Sequence, residues 1–418
     1  LNAMPRAKGF DHTLAFLRDP YRFIGKWHQR LGSDVFEARL LVQPTICMTG
    51  PEAARAFYDP ERLQREGAMP NPVRKTLIGE GGVQGLDDAA HHHRKMMLMA
   101  TMTPECIDDL RELTARTLHH ASLRWASLEG VVLYDEIRDV LTRAVCKWAG
   151  VPLDEEDVTL RKEHLTALFQ HAGTIGIPHL GARLARKRCE AWLSNVIESY
   201  RSRVAPAEPA YPAEVIAHHR DRDGKLLDTR VAAVELLNLL RPTVALSVYI
   251  VFCAHALHHH PVWRERLQAA DDAEAERFVH EVRRFYPFFP AVAARVRHDF
   301  EWQGFRFPEG RRVMLDLYGT NHDPRTWGDP EAFRPDRFKN WDGSAFNFIP
   351  QGGGDHVANH RCAGEWLTLA LMKEALTFLT RSVTYEVPEQ DLRIDMTQLP
   401  ALPPSGMVLG GLTLLRTE

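Results

Sequence analysis

From about residue 228 to 259, apolar side chains fall on every face of a helical wheel. Leu236, Leu237, Leu239, Leu240, Val244, Leu246, Val248 and Ile250 leave no polar stripe. A helix without a polar face is buried on all sides, so this segment predicts the central helix of a large helical domain. Arg241 and Pro242 stand in its middle. Proline removes one backbone donor, which predicts a kink there. Helical patterning dominates from about 88 to 286, and an earlier helix is expected near "LAFLRDPYRFIGKWHQRL". The segment "DVFEARLLVQPTICMTG" is rich in strand formers and predicts a hairpin; "FEWQGFRFPEG" and "RRVMLDLY" read as further strands. The stretch "VAPAEPAYPAE" predicts a surface loop between helices. No internal repeat or low-complexity tract is present. The pattern is that of a mainly α fold with a small β-rich region.

Composition narrows this picture. The 418 residues are 44 % hydrophobic and 26 % charged, with 52 basic and 55 acidic side chains and a net charge of −3. That supports a large core and offers no electrostatic reason to bind nucleic acid or an anionic membrane. The six cysteines are scattered with no CxxC pair, which argues against structural zinc or a disulfide framework and for a reducing, cytoplasmic setting. The start "LNAMPRAKG" contains no signal peptide; Met4 reads as the natural start and residues 1–3 as a cloning remnant. The longest apolar stretch, 244–257, reads as too short and interrupted for an integral membrane segment. A single soluble catalytic domain over 4–418 is expected.

The chemistry concentrates in "FNFIPQGGGDHVANHRCAGEW" (346–366). Three glycines allow a tight irregular backbone, and Cys362 follows His360 and Arg361 just before a predicted helix. A thiol at a helix N-terminus beside cations is expected to have a lowered pKa, ready as a thiolate ligand or nucleophile. The alternative is a small buried hydrophobe; a phosphate cradle lacks the βαβ setting it would need. Upstream, "EVRR" puts Glu281 and Arg284 one helical turn apart, and "FRPDRF" supplies Arg337. Alone, such a pair is ordinary helix support. In this order and spacing, these segments resemble the cytochrome P-450 family over essentially the whole chain.

The resemblance implies a haem-thiolate fold round one haem b (iron protoporphyrin IX), with Cys362 on the iron and Glu281, Arg284 and Arg337 as a structural ion-pair network. The usual monooxygenases of the family carry an acid–alcohol pair in the central helix, whereas "LLRPTVAL" has no acid near Thr243. The Arg-Pro there, with "GGVQGLD", "EVRRFYPFFPAV" and "FNFIPQGGGDH", is similar to the hydrogen-peroxide-dependent fatty-acid hydroxylases, the bacterial α-hydroxylases in particular. A buried guanidinium needs an anion. The resemblance makes that anion a fatty-acid carboxylate held on Arg241, with Pro242 shaping the pocket and hydrogen peroxide replacing any redox partner; the other reading is an internal pair with Glu235 or a side chain reaching solvent. Gln84 stands where decarboxylating members carry histidine, which favours α-hydroxylation (β minor). A decarboxylase making terminal alkenes and a non-catalytic haem- and fatty-acid-binding sensor are the alternatives. Ile78 and Phe288 are expected to line the pocket, or else to be plain core. Three consecutive histidines on one helix cannot easily share a metal. His91 and Lys95, one turn apart, suit a haem propionate instead, as does Arg361. The segment 165–180 is expected to set chain length.

Overall fold

The computed structural model describes residues 2–174 and 176–415. Leu1, in the expected cloning remnant, and Ile175, in the segment expected to set chain length, lie outside the described residues. The architecture is mainly helical, with one large apolar core among the helices and two smaller ones around a sheet.

The sheet is built from β1 (Val35–Leu40), β2 (Gln43–Met48), β3 (Leu63–Gln64), β4 (Ala291–Val296) and β5 (Arg312–Asp316). Its spatial order is β1-β2-β5-β4-β3, antiparallel except for the parallel β2–β5 pair. The β1–β2 hairpin turns on Leu41 and Val42, both at positive φ. That conformation costs energy for such residues. It is offset where Leu41 N–H donates to Thr13 Oγ1 (2.6 Å) and Val42 N–H to Asp11 Oδ2 (2.8 Å). The expected early helix is two helices, Thr13–Arg18 and Phe23–Leu31. The break falls at Asp19, whose φ of −149° is forced out of the helical region by the Pro20 that follows.

The central helix runs unbroken from Thr229 to His259, with Pro242 inside it. Asp228 starts it, its carboxylate accepting from the N–H groups of Arg230 and Val231. It packs against the helices Leu133–Ala149, Ile177–Arg201 and Glu365–Thr377. By length and composition this helix could cross a bilayer, although the shorter stretch 244–257 read as too short to do so. In the fold its apolar window is almost wholly buried by neighbouring helices, as an all-round apolar surface demands of a core helix.

On the helix Asp272–Phe285, Glu281 and Arg284 are fully buried and paired in two bonds, Nε–Oε2 at 2.7 Å and Nη2–Oε1 at 2.9 Å. Arg337 Nε reaches Glu281 at 3.2 Å. The network continues into the loop that carries the cysteine. Arg284 donates to Asn321 O (3.1 Å), and Asn321 Oδ1 accepts the N–H of Ile349 (2.8 Å), three residues before the glycines.

Candidate functional site

Cys362 sits three residues before the helix Glu365–Thr377, on a loop held from several sides. Its N–H donates to Gln351 O (3.1 Å), and the Gln351 amide donates back to its Sγ (3.7 Å) and to Thr368 Oγ1 (3.0 Å). Gly354 is essential to the shape: its φ is +81°, and a Cβ there would come within 2.4 Å of Asn359 Oδ1. Glu365 pairs with Arg283 and Arg361 and is hydrogen-bonded to His356. Those partners hold its carboxyl far below the usual range against the opposing effect of burial. Arg361 is thus committed to Glu365 (2.6 Å) and Gly354 O (3.2 Å). Lys95 donates to the carbonyls of Asn359 (3.1 Å) and Arg361.

The cysteine's electrostatics differ from the sequence-based expectation. A lowered thiol pKa was expected from the helix N-terminus and flanking cations, but burial pushes the Cys362 thiol up, and Glu365 adds to it. The Gly364 N–H, Lys95 and Arg283 pull the other way and lose. The flanking cations are visible in the sequence. The depth of burial is not, nor is the pairing of Glu365 with Arg283 and Arg361.

Across the interior lies Arg241. Arg241 and Cys362 are both half-buried, each within the body of the protein. Arg241 and Tyr249, eight residues apart on the central helix, both lie within electrostatic reach of Cys362, which brings the cysteine loop near the middle of that helix. Among the described residues Arg241 has no anionic partner, and its Nε is buried without any hydrogen-bond acceptor. Burial, reinforced by Arg186, lowers its pKa to about 9. The internal partner considered for it, Glu235, is engaged elsewhere: its Oε1 accepts from Arg94 Nη1 (2.9 Å) and from Val83 N–H (2.8 Å).

That second engagement positions Gln84. The turn Val83–Gly85 is pinned to the central helix by Glu235, and Gln84 Oε1 accepts from Asn238 Nδ2 (3.1 Å), one turn before Arg241. Ile78 ends the π-helical turn Arg74–Ile78, whose last carbonyls are capped by Arg186 donating to Thr76, Leu77 and Ile78. Gly79 follows at φ +90°, where a Cβ would fall 1.9 Å from Arg186 Nη2. Phe288 stacks on Tyr249 (4.2 Å, 27°). His91 is buried and lies ring to ring with His360 (3.8 Å). Burial, His360 and Lys95 push its pKa down to about 3, so it offers a hydrogen bond and no charge.

The structure therefore gathers Arg241, Pro242, Gln84, Ile78 and Phe288 on and around the central helix, and His91, Lys95 and Arg361 around the cysteine loop. Arg186, Asn238, Glu235 and Arg94 were not picked out as site residues. Asn238 had a readable signal, as a polar residue one turn from Arg241 in an apolar run, and Glu235 stood out there as an acid that could pair with Arg241.

A family model described as Cytochrome P-450 matches residues 275–409. The fold is similar to that of cytochrome P-450SP alpha in complex with (R)-ibuprophen, at 53 % identity and TM-score 0.94 over 97 % of this chain and 100 % of that one. It is also similar to wild-type cytochrome P-450EX alpha with myristic acid, at 45 % identity and TM-score 0.95 over 99 % and 100 % of the two chains. A curated relative, cytochrome P-450 71A8 of Mentha piperita, is 26 % identical over 52 % of this chain, which spans about half (47 %) of that protein's length.

Proposed function

Because the chain belongs to the cytochrome P-450 family and is a haem-thiolate oxidoreductase, we propose that it uses hydrogen peroxide to hydroxylate fatty acids, mainly at the α carbon and to a minor extent at β. The observation that carries this reading is Arg241, a guanidinium enclosed in the interior within electrostatic reach of Cys362, with no anion among the described residues to pair with. The myristic acid found with the similar cytochrome P-450EX alpha supports a fatty carboxylate as its partner.

The residues present fit a haem. Cys362 offers one soft sulfur and, among the described residues, belongs to no cluster of three or more His, Cys, Asp or Glu that could hold a metal by themselves. A lone cysteine sulfur of this kind would suit a haem iron, whose other ligands the porphyrin would supply. When bound, haem b supplies the oxidising chemistry, with electron donation from the Cys362 thiolate. The Gln351 amide and the Gly364 N–H face the sulfur and favour its anionic form.

Arg241 holds the substrate carboxylate through its forked donors. The anchor fixes which carbon lies over the reaction centre, so position follows from geometry and not from bond strength. Thr243 is not free to relay protons there. Thr243 Oγ1 is committed to Leu239 O (2.8 Å), and no acid lies beside it in sequence. The substrate carboxylate on Arg241 fills that role, carrying a proton from one peroxide oxygen to the other. Gln84 is a neutral amide whose oxygen is occupied by Asn238. It cannot protonate an intermediate as an imidazolium would, which favours hydroxylation over decarboxylation. On this reading no redox partner is needed.

The test uses haem-loaded protein, myristic acid and hydrogen peroxide, with neither reductase nor nicotinamide cofactor, and identifies products by gas chromatography with mass spectrometry. The expected product is 2-hydroxymyristate, lost in Arg241→Ala. A terminal alkene one carbon shorter would overturn the role given to Gln84, and no product would overturn the peroxide reaction.

A further inference from the structure

Away from this site, two histidines and an aspartate from separate parts of the chain converge. His93 lies on the helix Asp88–Met99, while His219 and Asp221 follow the helix Pro212–His218. Each offers one ligand atom, and the three atoms lie within 4.8 Å of one another. The local backbone explains the convergence. Residues 220–226 form a small hairpin closed by the Arg220–Leu226 bridge, with Asp221 N–H donating to Lys225 O (2.8 Å) and Gly224 N–H to Asp221 O (2.8 Å). In extended chain, residues two apart point to the same side, so His219 and Asp221 share a face and Arg220 turns away.

Two further observations point to a ligand. His219 Nε2 is buried with no hydrogen-bond partner, a state that costs energy unless something binds there. His93 has one ring nitrogen 2.9 Å from the carbonyl of Arg220, an outer anchor of the kind that fixes the ring of a metal-ligating histidine. The His93 and His219 rings lie 5.0 Å apart.

We propose that His93, His219 and Asp221 form a binding site for a divalent transition metal of the zinc class, with water completing the coordination. Two imidazoles and one carboxylate select zinc, copper or nickel over magnesium or calcium. The nearest cation is Arg94, whose Nη2 lies 2.8 Å from Asp221 Oδ2. Its charge is also balanced by Glu235, leaving Asp221 Oδ1, held only by the Arg222 N–H at 3.2 Å, to turn to the metal. A metal there ties the histidine-bearing helix to the hairpin that leads into the central helix.

Equilibrium dialysis of the haem-loaded protein, free of any polyhistidine tag, against zinc sulfate with elemental analysis tests this. The wild type should bind one equivalent of zinc that His93→Gln, His219→Gln and Asp221→Asn each bind at least tenfold more weakly. Zinc should also raise the unfolding temperature of the wild type, an effect lost in the variants, and magnesium should do neither. Equal zinc stoichiometry and affinity in wild type and His219→Gln would overturn the proposal. Should His219→Gln fail to retain haem, the same comparison with His93→Gln, a half-exposed position, decides it.

Discussion

Arg241 is destabilising in the ligand-free protein, because its charge is enclosed and unpaired among the described residues. Replacing it with a flexible apolar side chain of similar length removes that burden. Arg241→Met is predicted to raise stability by about 1–3 kcal/mol, read as a higher unfolding temperature, while abolishing fatty-acid oxidation. The pH dependence follows from the lowered pKa of about 9. The unfolded chain holds the arginine proton more tightly, so the penalty is fully present below about 9 and shrinks as pH rises beyond it. The stability gap between Arg241→Met and wild type should therefore be constant through neutral pH and narrow in strongly alkaline solution. Saturating myristic acid should stabilise the wild type and not the variant, by thermal unfolding. At this scale the sequence was informative where a charge broke an apolar run. It misled at Cys362, where the direction of the thiol's shift depends on burial and on Glu365 claiming Arg283 and Arg361.

Between elements, the decisive contact joins the Val83–Gly85 turn to the central helix through Glu235. Glu235 is fully buried and also neutralises Arg94. Removing it leaves Arg94 with Asp221 alone, strands the Val83 N–H and releases the turn that carries Gln84. Glu235→Ala is predicted to cost about 1–3 kcal/mol, measured by urea denaturation, and to broaden the ratio of α to β products. Glu235→Gln, which keeps an acceptor for Val83 N–H, should lose less of both. The long helices were legible because their apolar periodicity is a local property. β4 was missed because "AVAARV" is alanine-rich and shows no clean alternation, and its strand character comes from pairing with β3 and β5. The Arg94–Glu235 pair, 141 residues apart in the chain, has no local signal at all.

For the whole molecule, the Glu281–Arg284–Arg337 network links the helical core to the loop bearing Cys362 by way of Asn321 and Ile349. Glu281→Ala would strand Arg284, which is completely buried. The predicted loss is about 3–5 kcal/mol, and it should appear as poor haem retention in a purified sample judged by the Soret band. Because Glu281 and Arg284 are fully buried, added salt should change their contribution little. Order along the chain and the resemblance of its motifs revealed this architecture, whereas the route from the network to the glycine loop is a property of the folded chain alone. The central claim, that the substrate's own carboxylate on Arg241 manages the proton at the reaction centre, is tested most directly by comparing myristic acid with myristyl alcohol under hydrogen peroxide alone. The expected result is rapid hydroxylation of the acid and a rate for the alcohol at least a hundredfold lower in the same wild-type protein, a loss typical of a missing acid–base group (~100-fold or more). Comparable rates for the two would contradict that claim.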